Sequence, residues 1–464
     1  MKLFSKDPEE KESLFSKSDL NRLIRPLIIE QLLAISVGMF DTMMISSLGD
    51  SAVSGVSLVD MINVLMINFF SALATGGAVI CSHEIGLARV SQGKKDFSPA
   101  RRSAKQLMAV LLVVSCFAAA ICYFLRGQIL SLVFGSEQQE VLKYAKIYFG
   151  ISAISYPFIA VYNGFAALFR TMGNSRVTMI TSAAVNLVNV GGNALFIYVF
   201  DYGVAGAAWS TTISRMLGMI ILMVLIMNKE RIIYIDFRER FKAELGTIKR
   251  ILRIGVPSGL ENSIFNLGRI LTIRMMTVFG AHQLAANAIA NNIDALSIVP
   301  ASAVGLAMVT VVGQCIGAGD FDEALRYEKK LLKKSYLYNA VFSSALLAAL
   351  PLILRLYSAS DEALRIAAVL IFIHLGVGML MWPASFVTPN ALRAAKDVRF
   401  TMVTAIASMF TFRIALSYVL GVYLGIGIIG VWLAMLVDWA FRLVMFNTRI
   451  SSGRWLRNVR EMEK

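Results

Sequence analysis

Charge is what this chain is short of. Asp, Glu, Lys and Arg together make up 16% of its 464 residues, against about a quarter in a soluble domain. Cysteine is sparse as well. Cys81, Cys116, Cys122 and Cys315 form no CxxC and no paired framework, so neither a zinc knuckle nor a disulfide scaffold is indicated. The three histidines, His83, His282 and His374, lack metal-ligand spacing. No GxxxxGK[ST] loop is present, which removes the usual cradle for ATP. The chain therefore reads as a non-enzyme that needs no cofactor.

What is abundant is apolar side chain. Hydrophobic residues reach 57% and mean hydropathy is +0.66, more than an aqueous surface of this size can hide. The apolar residues fall in twelve runs near 23–48, 53–86, 103–126, 146–169, 176–200, 204–228, 251–279, 284–316, 335–357, 363–390, 398–423 and 427–448. Each reaches the roughly 20 residues that cross a ~30 Å hydrocarbon layer as a helix. The pattern predicts an all-α integral membrane protein in a lipid bilayer, with Pro157, Pro300, Pro383, Gly76 and Gly77 inside its helices.

The net charge of +15 is distributed by loop rather than as a nucleic-acid footprint, and no nucleic-acid partner is expected. Arg89, Lys94, Lys95, Arg101, Arg102 and Lys105 fill the second gap, and Arg326, Lys329, Lys330, Lys333 and Lys334 the eighth. Gaps 1, 5, 7 and 11 hold no Lys or Arg. The positive-inside rule then puts both termini in the cytoplasm, and the expected location is the cytoplasmic membrane of a prokaryote. The first 22 residues mix Lys2 and Lys6 with Asp7 and Glu9 and read as a solvated tail. The expected divisions are a tail over 1–22, an N-lobe over 23–228, a basic linker over 229–250, a C-lobe over 251–448 and a second tail over 449–464.

The two lobes repeat one another. Pro26, Glu30, Gly49 and Gly86 correspond to Pro257, Glu261, Gly280 and Gly317 at one offset of 231 residues. Later, FRTMGNSRVTM (169–179) is echoed by LRAAKDVRFTM (392–402), and GVAGAAWST (203–211) by GIIGVWLAM (427–435). Both halves start on the same side, so the expected architecture is two six-helix bundles in a parallel repeat, with substrate between them near the midplane.

DTMMISSLGDSAVSG (41–55), FRTMGNSR (169–176), GVAGAAWST (203–211) and GAHQLAANAIANNI (280–293) stand in order on this frame. With them the sequence resembles the multidrug and toxic compound extrusion (MATE) transporters over nearly its whole length. The resemblance implies an exporter of amphipathic small organic compounds, driven by inward H⁺ or Na⁺ and acting by alternating access. It also implies that Asp41 is the coupling carboxylate of the N-lobe, helped by Asn189, Asn193 and Thr211. On residue chemistry alone, Asp41 can exchange a proton or ligate Na⁺. The resemblance breaks at Phe265, where one branch of the family carries a glutamate on helix 7. Glu261 lies a turn earlier and reads, like Glu30, as a structural pairing residue. A related class, flippases of lipid-linked or anionic precursors, is the alternative.

Charges inside hydrocarbon are costly and mark function by default. The C-lobe holds Arg269, Arg274, Arg413 and Arg442 against Asp294 and Asp438. Asp438 and Arg442 stand i, i+4 and are expected to pair. The candidate substrate cavity comprises Arg269, Arg274, Asp294, Arg413, Asp438, Tyr156 and Met275, and its arginine excess suits an anionic or zwitterionic ligand. Tyr123, Tyr198, Trp432 and Trp455 are expected as interface anchors. The chain is expected to act as a monomer.

Overall fold

The computed structural model describes residues 13–91, 95–134, 139–357 and 359–462. The tail charges Lys2, Lys6, Asp7 and Glu9, and Lys94 of the second gap, lie outside them. Among the described residues there is no strand; the chain is a succession of helices. The N-lobe holds α1 (Lys17–Ser46), α2 (Asp50–Val90), α3 (Ser98–Phe124), α4 (Gln139–Ile154 with Tyr156–Thr171), α5 (Ser175–Val199) and α6 (Gly203–Ile226). The C-lobe holds α7 (Leu245–Met276), α8 (Ala281–Ser297 with Val299–Gly317), α9 (Phe321–Leu354), α10 (Asp361–Ala394), α11 (Val398–Tyr423) and α12 (Ile428–Ser451). A final helix, Arg454–Met462, follows.

Ten of these are long and apolar enough to cross a membrane, and the bent pair of α4 makes an eleventh. The remaining helix is α7, at 32 residues about 48 Å long. It is less apolar because Glu261, Arg269 and Arg274 sit along it, and its place in the repeat identifies it as a span. Helix ends follow local chemistry. Ser16 caps α1 by accepting from the Asp19 amide at 3.1 Å, and the Asp19 carboxylate accepts from the Ser16 amide at 2.9 Å, a reciprocal capping box. The two pieces of α4 meet at 45° around Ser155, two residues before Pro157.

The repeat extends to the backbone. Gly49 and Gly280 precede α2 and α8 with φ of 97° and 89°, a region open to glycine and strained for other residues. Gly86 and Gly317 let the lobes touch. A Cβ on Gly86 would lie 2.0 Å from the Gln314 carbonyl, and one on Gly317 would lie 2.1 Å from that of His83. Two hydrogen bonds flank this contact. The Gln314 amide donates to the Thr171 carbonyl at 2.7 Å, and His83 Nε2 meets the Ala394 carbonyl at 2.7 Å.

All of these contacts lie in the half of the bundle that carries the termini. There α2 packs along α7, and α1 along the Val299–Gly317 part of α8. The far-side segments Gln139–Ile154 and Ala281–Ser297 instead pack on α2, α3 and α6 and on α9 and α10, each within its own lobe. The lobe-to-lobe packing described here thus lies at the termini-bearing face.

Three expectations need correction. Residues 13–22 are not a free tail. The Leu14 amide donates to Glu323, Phe15 is buried against Tyr327 at 5.9 Å, and α1 has begun by Lys17. The linker is shorter than 229–250, because α7 already starts at Leu245, and it is docked on the N-lobe. Arg101 donates to the Ile232 carbonyl at 3.1 Å and Gln106 to the Lys242 carbonyl at 2.7 Å. Trp432 and Trp455 are core residues at 2% and 1% exposure, while Tyr123 and Tyr198 are exposed. Tryptophan at a helix end satisfies a core as readily as a headgroup layer, and the sequence does not separate the two.

Candidate functional site

Each lobe carries a polar cluster between mid-depth and the far face. In the N-lobe, α1 brings Asp41 against α5, where Asn193 Nδ2 donates to Asp41 Oδ1 at 2.5 Å. One turn away, Asn189 Nδ2 donates to the Thr211 hydroxyl at 3.1 Å, and the Ser210 hydroxyl donates to the Asn189 carbonyl at 2.8 Å. The i, i+4 spacing puts both amides on one face of α5. Asn189 is 3% exposed and Asn193 0%, and neither side-chain Oδ1 has a hydrogen-bond partner among the described residues. Asp41, Asn189, Asn193 and Thr211 are therefore brought together, with two buried carbonyl oxygens left over. Oxygen donors of this kind suit a hard cation.

A second N-lobe carboxylate was overlooked in the sequence. Asp60 on α2 accepts from Asn63 Nδ2 at 3.1 Å, and Asn63 accepts the Tyr156 hydroxyl at 2.9 Å. Asp41 and Asp60 interact electrostatically with each other and with Arg215 on α6. Arg215 in turn donates to the Ser155 hydroxyl at 2.7 Å, where α4 breaks. The signal was available. Asp60 and Arg215 are charges inside apolar runs, the same criterion that singled out Asp41.

In the C-lobe, Asp438 is wholly buried. It accepts Arg413 Nε at 3.2 Å, Arg442 Nε at 2.9 Å and the Ser408 hydroxyl. The expected Asp438–Arg442 pair exists, and Arg413 shares it. Both guanidinium groups lie over the Phe265 ring, at 4.8 and 5.3 Å. Phe265 thus meets the two cations with the negative face of its π-system. Asp294 on α8 meets His374 Nδ1 at 2.8 Å, and the His374 ring sits 4.6 Å from Trp432 and 4.2 Å from Trp439.

A cavity of about 220 Å³ adjoins this cluster, lined by Phe265, Arg269, Asp294, Trp382, Arg413 and Trp439 among others. Of the sequence-derived cavity residues, Arg269, Asp294 and Arg413 line it, and Asp438 supports it from behind. The structure separates the other three. Arg274 is exposed near the far end of α7. Met275 faces a surface groove with Tyr418. Tyr156 belongs to the core of the N-lobe. Residue type nominated these three, and only the helix rotations decide their direction.

The lobes differ in charge. Asp41 and Asp60 face Arg215 in one, while Arg269, Arg413 and Arg442 face Asp294 and Asp438 in the other. The equivalent glutamates are, by contrast, alike. Glu30 accepts Arg170 Nη2 at 2.7 Å and the Thr178 hydroxyl at 2.6 Å. Glu261 accepts Arg393 Nη2 at 2.8 Å and the Thr401 hydroxyl at 3.2 Å. Both are ties from α1 or α7 to the helix pairs α4–α5 and α10–α11.

The profile of the MatE family matches residues 26–195 and 257–419. The chain is 28% identical to "Uncharacterized transporter YisQ" of Bacillus subtilis (strain 168), covering 97% of each chain. It is 24% identical to "Probable multidrug resistance protein NorM" of Thermotoga maritima, covering 95% of this chain and 93% of the relative. In fold it is similar to a solved structure described as the outward-facing conformation of a multidrug resistance MATE family transporter. That match has a TM-score of 0.83 and 19% identity, and covers 94% of this chain and 96% of the other.

Proposed function

We propose, for a chain that belongs to the MatE family and is a multi-pass membrane transporter, cation-coupled antiport of amphipathic small organic compounds by alternating access. Its relatives are transporters rather than enzymes. In this reading the termini-bearing face lies in the cytoplasm, the cleft opens outward, and the N-lobe cluster takes the coupling ion.

The observation that carries the reading is the Asp41–Asn193 contact, backed by the two unpartnered amide oxygens of Asn189 and Asn193. A carboxylate held by one donor, beside free oxygen acceptors, can exchange H⁺ or complete an oxygen shell around Na⁺. A ligand shifts an equilibrium between conformations only by binding them unequally. Asp41 does so if closing the far face changes its access to water and to the α5 amides.

The test is efflux from proteoliposomes with pH and Na⁺ gradients imposed independently. Asp41→Asn is expected to insert and fold but to lose gradient-driven efflux. Efflux that still follows either gradient in that variant would falsify the assignment.

A further inference from the structure

We propose that the C-lobe cavity is a binding site for a small aromatic acid, its ring among Phe265, Trp382, Phe386 and Trp439 and its anionic group on Arg269 and Arg413. The N-lobe cluster plays no part in this site.

Donors without acceptors are the first observation. Trp439 is 3% exposed, yet its indole Nε1, which can only donate, has no acceptor among the described residues. Arg413 is 6% exposed and uses Nε on Asp438; no other hydrogen bond of its guanidinium is present among the described residues. Arg269 stands on the cavity wall with no hydrogen bond or ion pair among them, and it interacts electrostatically with Arg413. Of these, only the Trp439 indole is a buried donor left unpaired, which is costly; the Arg269 head group is exposed, and its N–H donors are free to take a ligand's acceptor oxygens.

The carboxylates are the second observation. Asp438 accepts from two arginines and Ser408, and so has no share left for a cationic ligand. Asp294 is engaged by His374. Three arginines against two aspartates leave this cluster with one uncompensated positive charge. Arginine is also suited to planar oxyanions, which it grips through two parallel N–H bonds.

Shape is the third. Trp382 and Phe386 stack at 5.0 Å with 20° between their planes, and Phe386 meets Trp439 edge-on at 6.0 Å. These rings give the cavity an aromatic wall against which a flat aryl group can lie. At about 220 Å³ the cavity is smaller than the roughly 300–1,000 Å³ typical of drug-sized sites. It therefore fits one or two fused rings carrying one acid group. The proposal rests on the transport reading only in taking the ligand to be cargo; binding itself needs no gradient.

The experiment is equilibrium binding to the full chain in detergent, using 2-naphthalenesulfonate, uncharged 2-naphthol and the trimethyl(2-naphthyl)ammonium cation. The sulfonate is expected to bind at least about tenfold more tightly than either analogue. Arg269→Gln is expected to abolish that preference while leaving 2-naphthol affinity unchanged, and Arg269→Lys to keep part of it. Arg269 is chosen because it makes no hydrogen bond or ion pair among the described residues. Asp41→Asn is expected to bind the sulfonate normally, so a transport failure there counts against the coupling reading and not against this site. Equal or tighter binding of the cation overturns the proposal, as does an unchanged preference in Arg269→Gln. Binding of a prenyl diphosphate in mixed micelles without binding of the sulfonate also overturns it, in favour of a lipid-linked anion.

Discussion

His83 and Gln314 occupy equivalent places in the two halves, and each makes a hydrogen bond to the other lobe, at the carbonyl of the residue that follows a glutamate-bound arginine. Gln314 meets Thr171, next to Arg170 on Glu30; His83 meets Ala394, next to Arg393 on Glu261. The seal at the termini-bearing face is thus wired in each lobe to α1 or α7. Since α1 also carries Asp41, an event at the coupling carboxylate and the state of the seal share a helix.

Removing the seal should shift the resting state. Neutral hydrogen bonds contribute about 1 kcal/mol each, so the His83→Ala, Gln314→Ala double variant is expected to raise the population open at that face about tenfold or more. Spin labels at the exposed, equivalent positions Arg176 and Arg399, on a background free of the native cysteines, report it. A longer distance component should grow; an unchanged distribution removes the seal from the mechanism.

The glutamate ties are stability elements. Glu261 and Glu30 are 7% and 6% exposed, and breaking one partner of a buried ion pair costs roughly 3–5 kcal/mol. Glu261→Gln and Glu30→Gln are each expected to lower the unfolding midpoint in mixed micelles. Removing both members of one pair, Glu261→Gln with Arg393→Gln, should cost less than the two single changes summed.

Within the N-lobe cluster, Asn193→Leu removes both the donor to Asp41 and a free oxygen. Gradient-driven efflux is expected to fall about tenfold or more, with protein yield and thermal stability near normal. Asn189→Leu, one turn further away, should cost less. A reversed order in the efflux assay would reassign the amide that supports Asp41.

Acid should loosen the linker. Asp236 lies there, and its carboxyl is held below the ordinary carboxylate range by the Arg238 backbone amide first and then by the Lys229 ammonium. A depressed folded-state pKa means that this stabilisation is present above the group's unfolded pKa and is lost as pH falls through the lower, folded value. The linker around 229–244 should therefore be cut faster by an acid-active protease as pH drops below the usual Asp range. Asp236→Asn should show fast cutting already at the upper end of that protease's working range, before the parent linker loosens.

Much of this architecture was legible because a bilayer imposes strong rules. Run length marks the spans, loop charge suggests their orientation, and glycines at one offset mark the repeat. Gly49 and Gly280, paired on sequence alone, share an unusual φ. What stayed hidden is rotational. A helix turns 100° per residue, so Arg269 on a cavity wall and Arg274 at an exposed helix end, five residues apart, read alike in sequence. His374 has no metal-ligand spacing in the sequence, and its place beside Asp294, against two tryptophans of α12, shows only in the fold. The two carboxylates of the N-lobe come from different helices, and only folding places them within each other's field.

Phe15 adds a constraint of another kind. It is seated on Tyr327 of the C-lobe, with its amide and carbonyl both tied to the tyrosine hydroxyl, although it leads directly into α1 of the N-lobe. Beyond the seal, the halves are therefore joined by the covalent linker 229–244 and by this short strap. A closed loop of that sort permits rotation but resists separation. If the lobes rock, the strap has to behave as a hinge pin that stays seated or as a catch that releases.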